Sequence, residues 1–415
     1  LIARRFPALA HRDFAIFWVG QFVSLIGTWM QTTTQPYLAY RLTGSSLDLG
    51  LIGFASTLPT LILALPGGVI VERLDKRKTV IIMQAVMMLQ AFTMAWLALS
   101  GRIQIWHIVA LAFILGVANA IEITARQAML IELVGKEDLP NAIALQSTIF
   151  NAARVLGPSL VAPFLIFLNQ SGEGWAFFAN GVSFLFVIIG LFFVRTHPFA
   201  AVDRKANQNL WQEFRAGQKY IFQTASVGVL ILMSAMVGFF GFPLIQQIPA
   251  LARNVLAQPG DTDALIATRN SLLYTFQGVG ALIAALSLSV RNSRHKGRLL
   301  TLGQLAFISG LIALSFTRSA PAAFAIIAVM GWGTVTQLAT INTLIQLDVP
   351  NDLRGRVFST YLWALQGVAP FGSLMIGWMA QSWGVPLTAL ICGLICLAGI
   401  GGVHLLKPQI RRRTD

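Results

Sequence analysis

Charge is scarce in this 415-residue chain: 11% of its residues are Asp, Glu, Lys or Arg, where soluble domains carry roughly a quarter. That shortfall, with 56% hydrophobic residues and a mean hydropathy of +0.70, excludes a water-soluble enzyme and a disordered chain. Cysteine is nearly missing. The two present, Cys392 and Cys396, lie four apart in one apolar run and so share a helix face as small hydrophobes. No His or carboxylate accompanies them, so neither a metal nor a redox pair is expected, and no cofactor. The five histidines, His11, His107, His197, His295 and His404, fall at the ends of apolar runs or in loops, which leaves no buried relay. The chain also lacks a GxxxxGK[ST] loop for an ATPase and an HxxxxD acyltransferase box. No secretory signal is expected, because Arg4 and Arg5 precede an apolar stretch too long for one.

Long apolar runs are what the chain has. A helix crossing a bilayer needs about 20 such residues. The runs predict spans at 14–40, 48–70, 79–100, 105–126, 140–168, 175–194, 221–250, 264–290, 299–317, 321–346, 356–381 and 385–406. Gly241, Pro243, Gln246, Gln247 and Pro249 interrupt the seventh. The fold expected is an all-α membrane protein with twelve transmembrane helices in two pseudo-symmetric six-helix bundles. Residues 1–194 form the N-terminal bundle, 195–219 a cytoplasmic linker and 220–415 the C-terminal bundle.

The net charge of +14 would fit nucleic acid, but its distribution argues otherwise. Basic residues crowd the N-terminus, the turns after even-numbered spans and the tail. Only Arg41, Arg102, Arg253, Arg269 and Arg318 fall on the opposite side, and Arg154 lies inside a span. The positive-inside rule then places both termini in the cytoplasm, with lipid rather than nucleic acid as the polyanion.

The two halves also repeat. Ile131 to Leu139 reads IELVGKEDL and Ile345 to Leu353 reads IQLDVPNDL, each between the fourth and fifth spans of its half. Parallel six-span repeats of this kind place a substrate near the midplane of a transporter.

Gly67 to Lys78, GGVIVERLDKRK, resembles the signature loop of the major facilitator superfamily. Gly68, Glu72, Arg73, Asp75, Lys76 and Arg77 occupy its places, with Glu72 where Asp is usual and Asp75 where Gly is usual. GQFVSLIGTWMQ from Gly20 and PNDLRGRVFSTY from Pro350 resemble the enterobactin-exporter-like efflux branch. The resemblance implies a secondary active transporter working by alternating access, exporting a small molecule, with these loop residues as a cytoplasmic gate. Gly157-Pro158 resembles the helix-bending Gly-Pro motif of antiporter branches, although the usual Gly pair is replaced by SLVAP.

Charges inside spans are costly, about 2.5–3.5 kcal/mol each on insertion scales. Glu122 is the acidic residue expected well within a span; Arg126 shares its helix face, and Arg154 in the next span is expected to pair with it. That trio would either couple protons or join two helices. Gln21, Trp29, Gln31, Gln35, Gln246, Asn270, Tyr274, Gln337, Asn342, Tyr361 and Gln366 are candidates to line an apolar cavity with neutral polar handles. The expected function is proton-coupled export of an amphipathic siderophore-like or drug-like molecule by a monomer. Lysophospholipid flipping without protons is the alternative, and a membrane enzyme ranks below both.

Overall fold

The computed structural model describes residues 6–63, 74–168, 171–196, 210–290, 295–350 and 353–406, and among these there is no strand. Ten helices are long and apolar enough to cross a membrane. Two of them, Ile105–Phe167 and Arg354–Leu405, are each broken by a glycine of non-helical backbone, Gly135 and Gly384, and so count as two crossings. The twelve are span 1 (Arg12–Thr43), span 2 (Ser46–Leu63), span 3 (Lys76–Leu99), span 4 (105–134), span 5 (136–167) and span 6 (Gly172–Phe193). Then follow span 7 (Ala225–Ile245), span 8 (Asp263–Leu288), span 9 (Lys296–Phe316), span 10 (Ala320–Asp348), span 11 (354–383) and span 12 (385–406).

The surface is more apolar than a soluble protein's, and polar side chains join the apolar ones inside. Trp96, Trp106, Phe167, Phe192 and Phe193 stand exposed, while Gln21, Gln31, Gln84, Gln90 and Gln337 are buried. With hydrocarbon as solvent, large apolar side chains cost nothing outside, and polar ones must find partners between helices.

Both halves break the chain at the same place in the internal repeat, by different means. In the first, Gly135 takes φ +74° and ψ −179°, a region essentially closed to other residues. In the second, the equivalent Val349 ends span 10 at φ −94° and ψ 128°, the extended shape that the following Pro350 imposes. An upstream segment secures each break. His11 lies 2.7 Å from Asp138, and the Ala8 N–H donates to Asn141 Oδ1 at 3.2 Å. In the second half, the Tyr220 hydroxyl donates to the Asp348 carbonyl at 3.1 Å. Gly135→Ala is therefore expected to cost about 1–3 kcal/mol, read as a lower thermal unfolding midpoint in detergent. An unchanged midpoint would show that the turn does not need glycine.

Span 7 is interrupted where its Gly and Pro residues predict. A π-helical turn, Val237–Gly241, leads into Phe242–Ile245, and a separate short helix, Ile248–Asn254, follows. Span 11 carries a second π turn, Trp363–Gly367, a geometry common at functional sites. Within the linker, 197–209 lies outside the described residues, and Leu210–Gln223 is a helix leading into span 7.

The chain forms two compact units. The first comprises Leu1–Gly44, Ala55–Ala201 and Pro259–Thr275; the second comprises Ser45–Phe54, Val202–Gln258 and Phe276–Asp415. Phe14, Phe17, Val80, Met129 and Leu191 pack the core of the first, and Val227, Met233, Leu300, Ile345 and Val357 that of the second.

Candidate functional site

In the first unit the buried carboxylate of span 4 is the centre of a polar chain. Glu122, 3% exposed, receives the Arg126 Nε–H at 3.1 Å on Oε1 and 3.3 Å on Oε2. The Gln84 amide of span 3 donates to the same Oε1 at 3.1 Å, and the Ser24 hydroxyl of span 1 donates to Gln84 Oε1 at 3.4 Å. The expected Glu122–Arg154 pair is not formed. Arg126, one helical turn on, reaches the carboxylate first, as the i,i+4 spacing allows.

Arg154 meets an aromatic face instead. Its guanidinium carbon lies 5.4 Å from the centre of the Trp29 ring, Nε makes no hydrogen bond, and no carboxylate among the described residues pairs with it. Phe150, one turn before Arg154, packs edge-on to Trp29 at 5.6 Å. Gly157 makes this crossing possible: a Cβ there would sit 2.4 Å from Trp29 Cβ and 2.8 Å from the Ile26 carbonyl oxygen. The backbone stays helical through Gly157-Pro158, and the single non-helical residue of Ile105–Phe167 is Gly135. A cation over an indole face is attracted by its quadrupole, more strongly when water is excluded.

The other predicted residues separate into two groups. Gln31 and Gln35 belong to a buried amide network, in which the Gln31 amide donates to Gln35 at 3.1 Å and to Gln90 of span 3 at 3.0 Å. Gln31 accepts in turn from Asn180 of span 6 at 2.7 Å. These bonds join helices of the first unit. Tyr274 and Tyr361 are buried, with the Tyr361 hydroxyl 3.5 Å from the Leu338 carbonyl. Asn342 bonds Gln346, and Gln366 is exposed on the span 11 π turn. By contrast Gln21 Oε1, Gln246 Oε1 and both amide atoms of Asn270 and Gln337 are buried without hydrogen bonds. In the second unit a small cavity lies among Leu244, Ile248, Phe307, Ile327 and Met330, with Gln247, Gln277 and Thr334 as its polar groups.

Of the loop residues expected as a gate, Gly68, Glu72 and Arg73 lie outside the described residues. The Asp75 carboxylate caps span 3 by accepting the Lys78 N–H at 3.0 Å, and Lys76 Nζ lies 3.6 Å from Glu132. Arg77 donates through Nε to the Leu191 carbonyl at 2.8 Å and through a terminal nitrogen to that of Phe192 at 3.1 Å. A cation on the last carbonyls of a helix satisfies groups that the helix cannot bond internally. These described bonds stay within the first unit, tying span 3 to the ends of spans 4 and 6. Arg77→Ala is expected to loosen the end of span 6 by about 1 kcal/mol. Backbone hydrogen exchange near 190–196 should then quicken roughly fivefold, and unchanged exchange would deny Arg77 that part.

Sequence reading missed Gln84, Gln90 and Asn180, polar residues inside apolar runs whose partners depend on helix rotation. It also missed Glu173, which it left outside span 6. The helix starts at Gly172 and buries Glu173 against Arg41, with Nε to Oε1 at 2.8 Å.

Residues 3–412 match the family described as transmembrane secretion effector. The multidrug efflux pump Tap of Mycolicibacterium fortuitum is 23% identical over 384 residues, 91% of each chain. The enterobactin exporter EntS of Salmonella typhi is 22% identical over 373 residues, 88% of this chain and 85% of that one. A crystal structure of a bacterial homolog of the human lysosomal transporter Spinster shares the fold, with a TM-score of 0.73 at 15% identity over 97% of this chain and 98% of that one. These relatives are transporters and not enzymes, and the many apolar helices make this a multi-pass membrane protein. With its two six-span halves and the match along nearly its whole length, the chain belongs to the transmembrane secretion effector family of major facilitator superfamily transporters.

Proposed function

We propose that this transporter exports an amphipathic, anionic or aromatic small molecule in exchange for protons. It does so by alternating access, as a monomer in a bacterial inner membrane, with both termini cytoplasmic. The observation that carries the reading is Arg154 beside Trp29, a cation inside a span with an aromatic face and no carboxylate partner among the described residues. Such a cation is retained against its insertion cost where a ligand supplies the counter-charge. In the same unit the unbonded amide of Asn270 adds a neutral handle that a cargo's polar groups can take up. A multidrug pump and an enterobactin exporter among the relatives support this cargo class. Glu122 is the proposed proton carrier. Arg126 must release it for a proton to bind, which ties protonation to a change of helix contacts.

The test is transport in proteoliposomes with a pH-sensitive dye and a panel of siderophore-like, drug-like and lysolipid substrates. Substrate-driven proton movement should vanish in Glu122→Gln, and Arg154→Ala should weaken apparent affinity for anionic cargo tenfold or more, about 1.4 kcal/mol. Unaltered coupling in Glu122→Gln would reduce the Glu122–Arg126 pair to a structural one. A second reading, lysophospholipid movement without protons, draws on the apolar cavity of the second unit, and lysolipid transport independent of pH would favour it. Glu72 and Arg73 are proposed as part of the cytoplasmic gate, so their alanine variants should insert normally but turn over slowly.

A further inference from the structure

The end of the first unit remote from the basic turns holds a second ionisable cluster. Span 1 ends there with Tyr37 and Arg41, span 6 begins there with Glu173, and span 8 begins with Asp263. These four, with Leu165, Ala264 and Ala267, line a small cavity partly open to solvent. The Glu173 residue is 2% exposed. Its Oε1 pairs with Arg41 Nε at 2.8 Å, while Oε2 is buried without a hydrogen bond. The Tyr37 hydroxyl donates to the Asp263 backbone carbonyl at 3.1 Å, and the nearby Arg269 is taken by Asp261. One arginine and two acidic residues therefore line the cavity; Asp263 is exposed, and the buried Glu173 holds an unsatisfied carboxylate oxygen.

We propose that Glu173 is a second proton-binding site, loaded from the side of the membrane opposite the basic turns. A proton adds to Oε2, the carboxylate becomes a carboxylic acid, and Arg41 loses the charge that ties span 1 to span 6. A buried carboxylate with a second acidic residue lining the same pocket favours binding of one proton, since two ionised forms repel. Glu173 is separate from Glu122. Ser24, which anchors the Glu122 chain on span 1, precedes Arg41 by seventeen residues, roughly 25 Å along the helix. Whether this proton drives transport rests on the coupled-export reading; its binding does not.

The test needs no substrate. Full-length protein in liposomes is titrated by pH-difference infrared spectroscopy in the protonated-carboxyl region. Beside the bands of other titrating acids, Glu122 included, one carboxyl band is expected in the wild type and in Glu122→Gln and should be missing from Glu173→Gln. Arg41→Gln should displace its midpoint by about tenfold or more in proton concentration, and Asp263→Asn by less. Glu173→Gln is nearly isosteric, and thermal unfolding reports whether it folds; if it does not, Glu173→Asp takes its place and should shift the band rather than remove it. A band unchanged by Glu173→Gln, or by Glu173→Asp where that stands in, overturns the proposal, as does a midpoint indifferent to Arg41→Gln. A normal Glu173 titration alongside proton-independent transport would keep this site and sink the coupling.

Discussion

Glu122→Ala is expected to destabilise the first unit by about 3–5 kcal/mol. The substitution leaves the Arg126 guanidinium, whose side chain is 15% exposed, without a counter-charge, and the Gln84 amide without its acceptor. An unpaired buried charge is far worse than a pair removed whole, so Glu122→Ala with Arg126→Leu should recover much of the loss. Glu122→Gln retains size and an acceptor for Gln84, so it should fold, which makes it the variant for transport. Unfolding in detergent across this cycle is the measurement. A loss below about 1 kcal/mol for Glu122→Ala would mean that Arg126 finds water or another acceptor, as exposed pairs do.

The second large effect is expected at Gly157, through packing alone. Its missing side chain lets span 5 lie against Trp29 and Ile26 of span 1. Gly157→Leu puts atoms where the Trp29 Cβ and the Ile26 carbonyl already are, and neither is the free end of a flexible side chain. The helices must separate, at about 1–3 kcal/mol or more, and Arg154 loses the Trp29 face. Transport should fall more than tenfold, with Gly157→Ala intermediate and Pro158→Ala milder, since the backbone is already helical there. Transport rate and thermal midpoint, measured together, separate lost packing from lost function. Full transport by Gly157→Leu would show that the Arg154–Trp29 contact is dispensable.

Much of the architecture was legible in the chain because its causes are local. A run of about twenty apolar residues between charged turns is long enough to cross and has no alternative fate in lipid. The repeat IELVGKEDL and IQLDVPNDL marked the break after the fourth span of each half, and the structure breaks at Gly135 and at Val349 in just those segments. The interruption of span 7 by Gly241, Pro243 and Pro249 was equally readable, since proline removes a helical donor wherever it sits.

The charges were found more readily than their partners. Glu122, Arg126 and Arg154 stood out because charge inside an apolar run is rare, yet the wrong arginine was matched to the acid. Pairing depends on the rotational phase of each helix and on which faces cross, and Gly157 turns Arg154 toward Trp29. Glu173 escaped notice for a related reason: it stands two residues before the apolar run, and only the packing of spans 1 and 6 buries it. Gln31, Gln84, Gln90 and Asn180 show the same limit, because the bonds from Gln31 to Gln90 and Asn180 join residues 59 and 149 positions apart.

The sequence by itself determined the number of crossings, the class of fold and the uneven distribution of basic residues, since hydropathy and charge act on each segment independently. Only the tertiary structure decided which acid meets which base, which glutamines bond one another and which cation meets an aromatic face. Those outcomes depend on contacts a few ångströms wide between segments that the chain itself does not join.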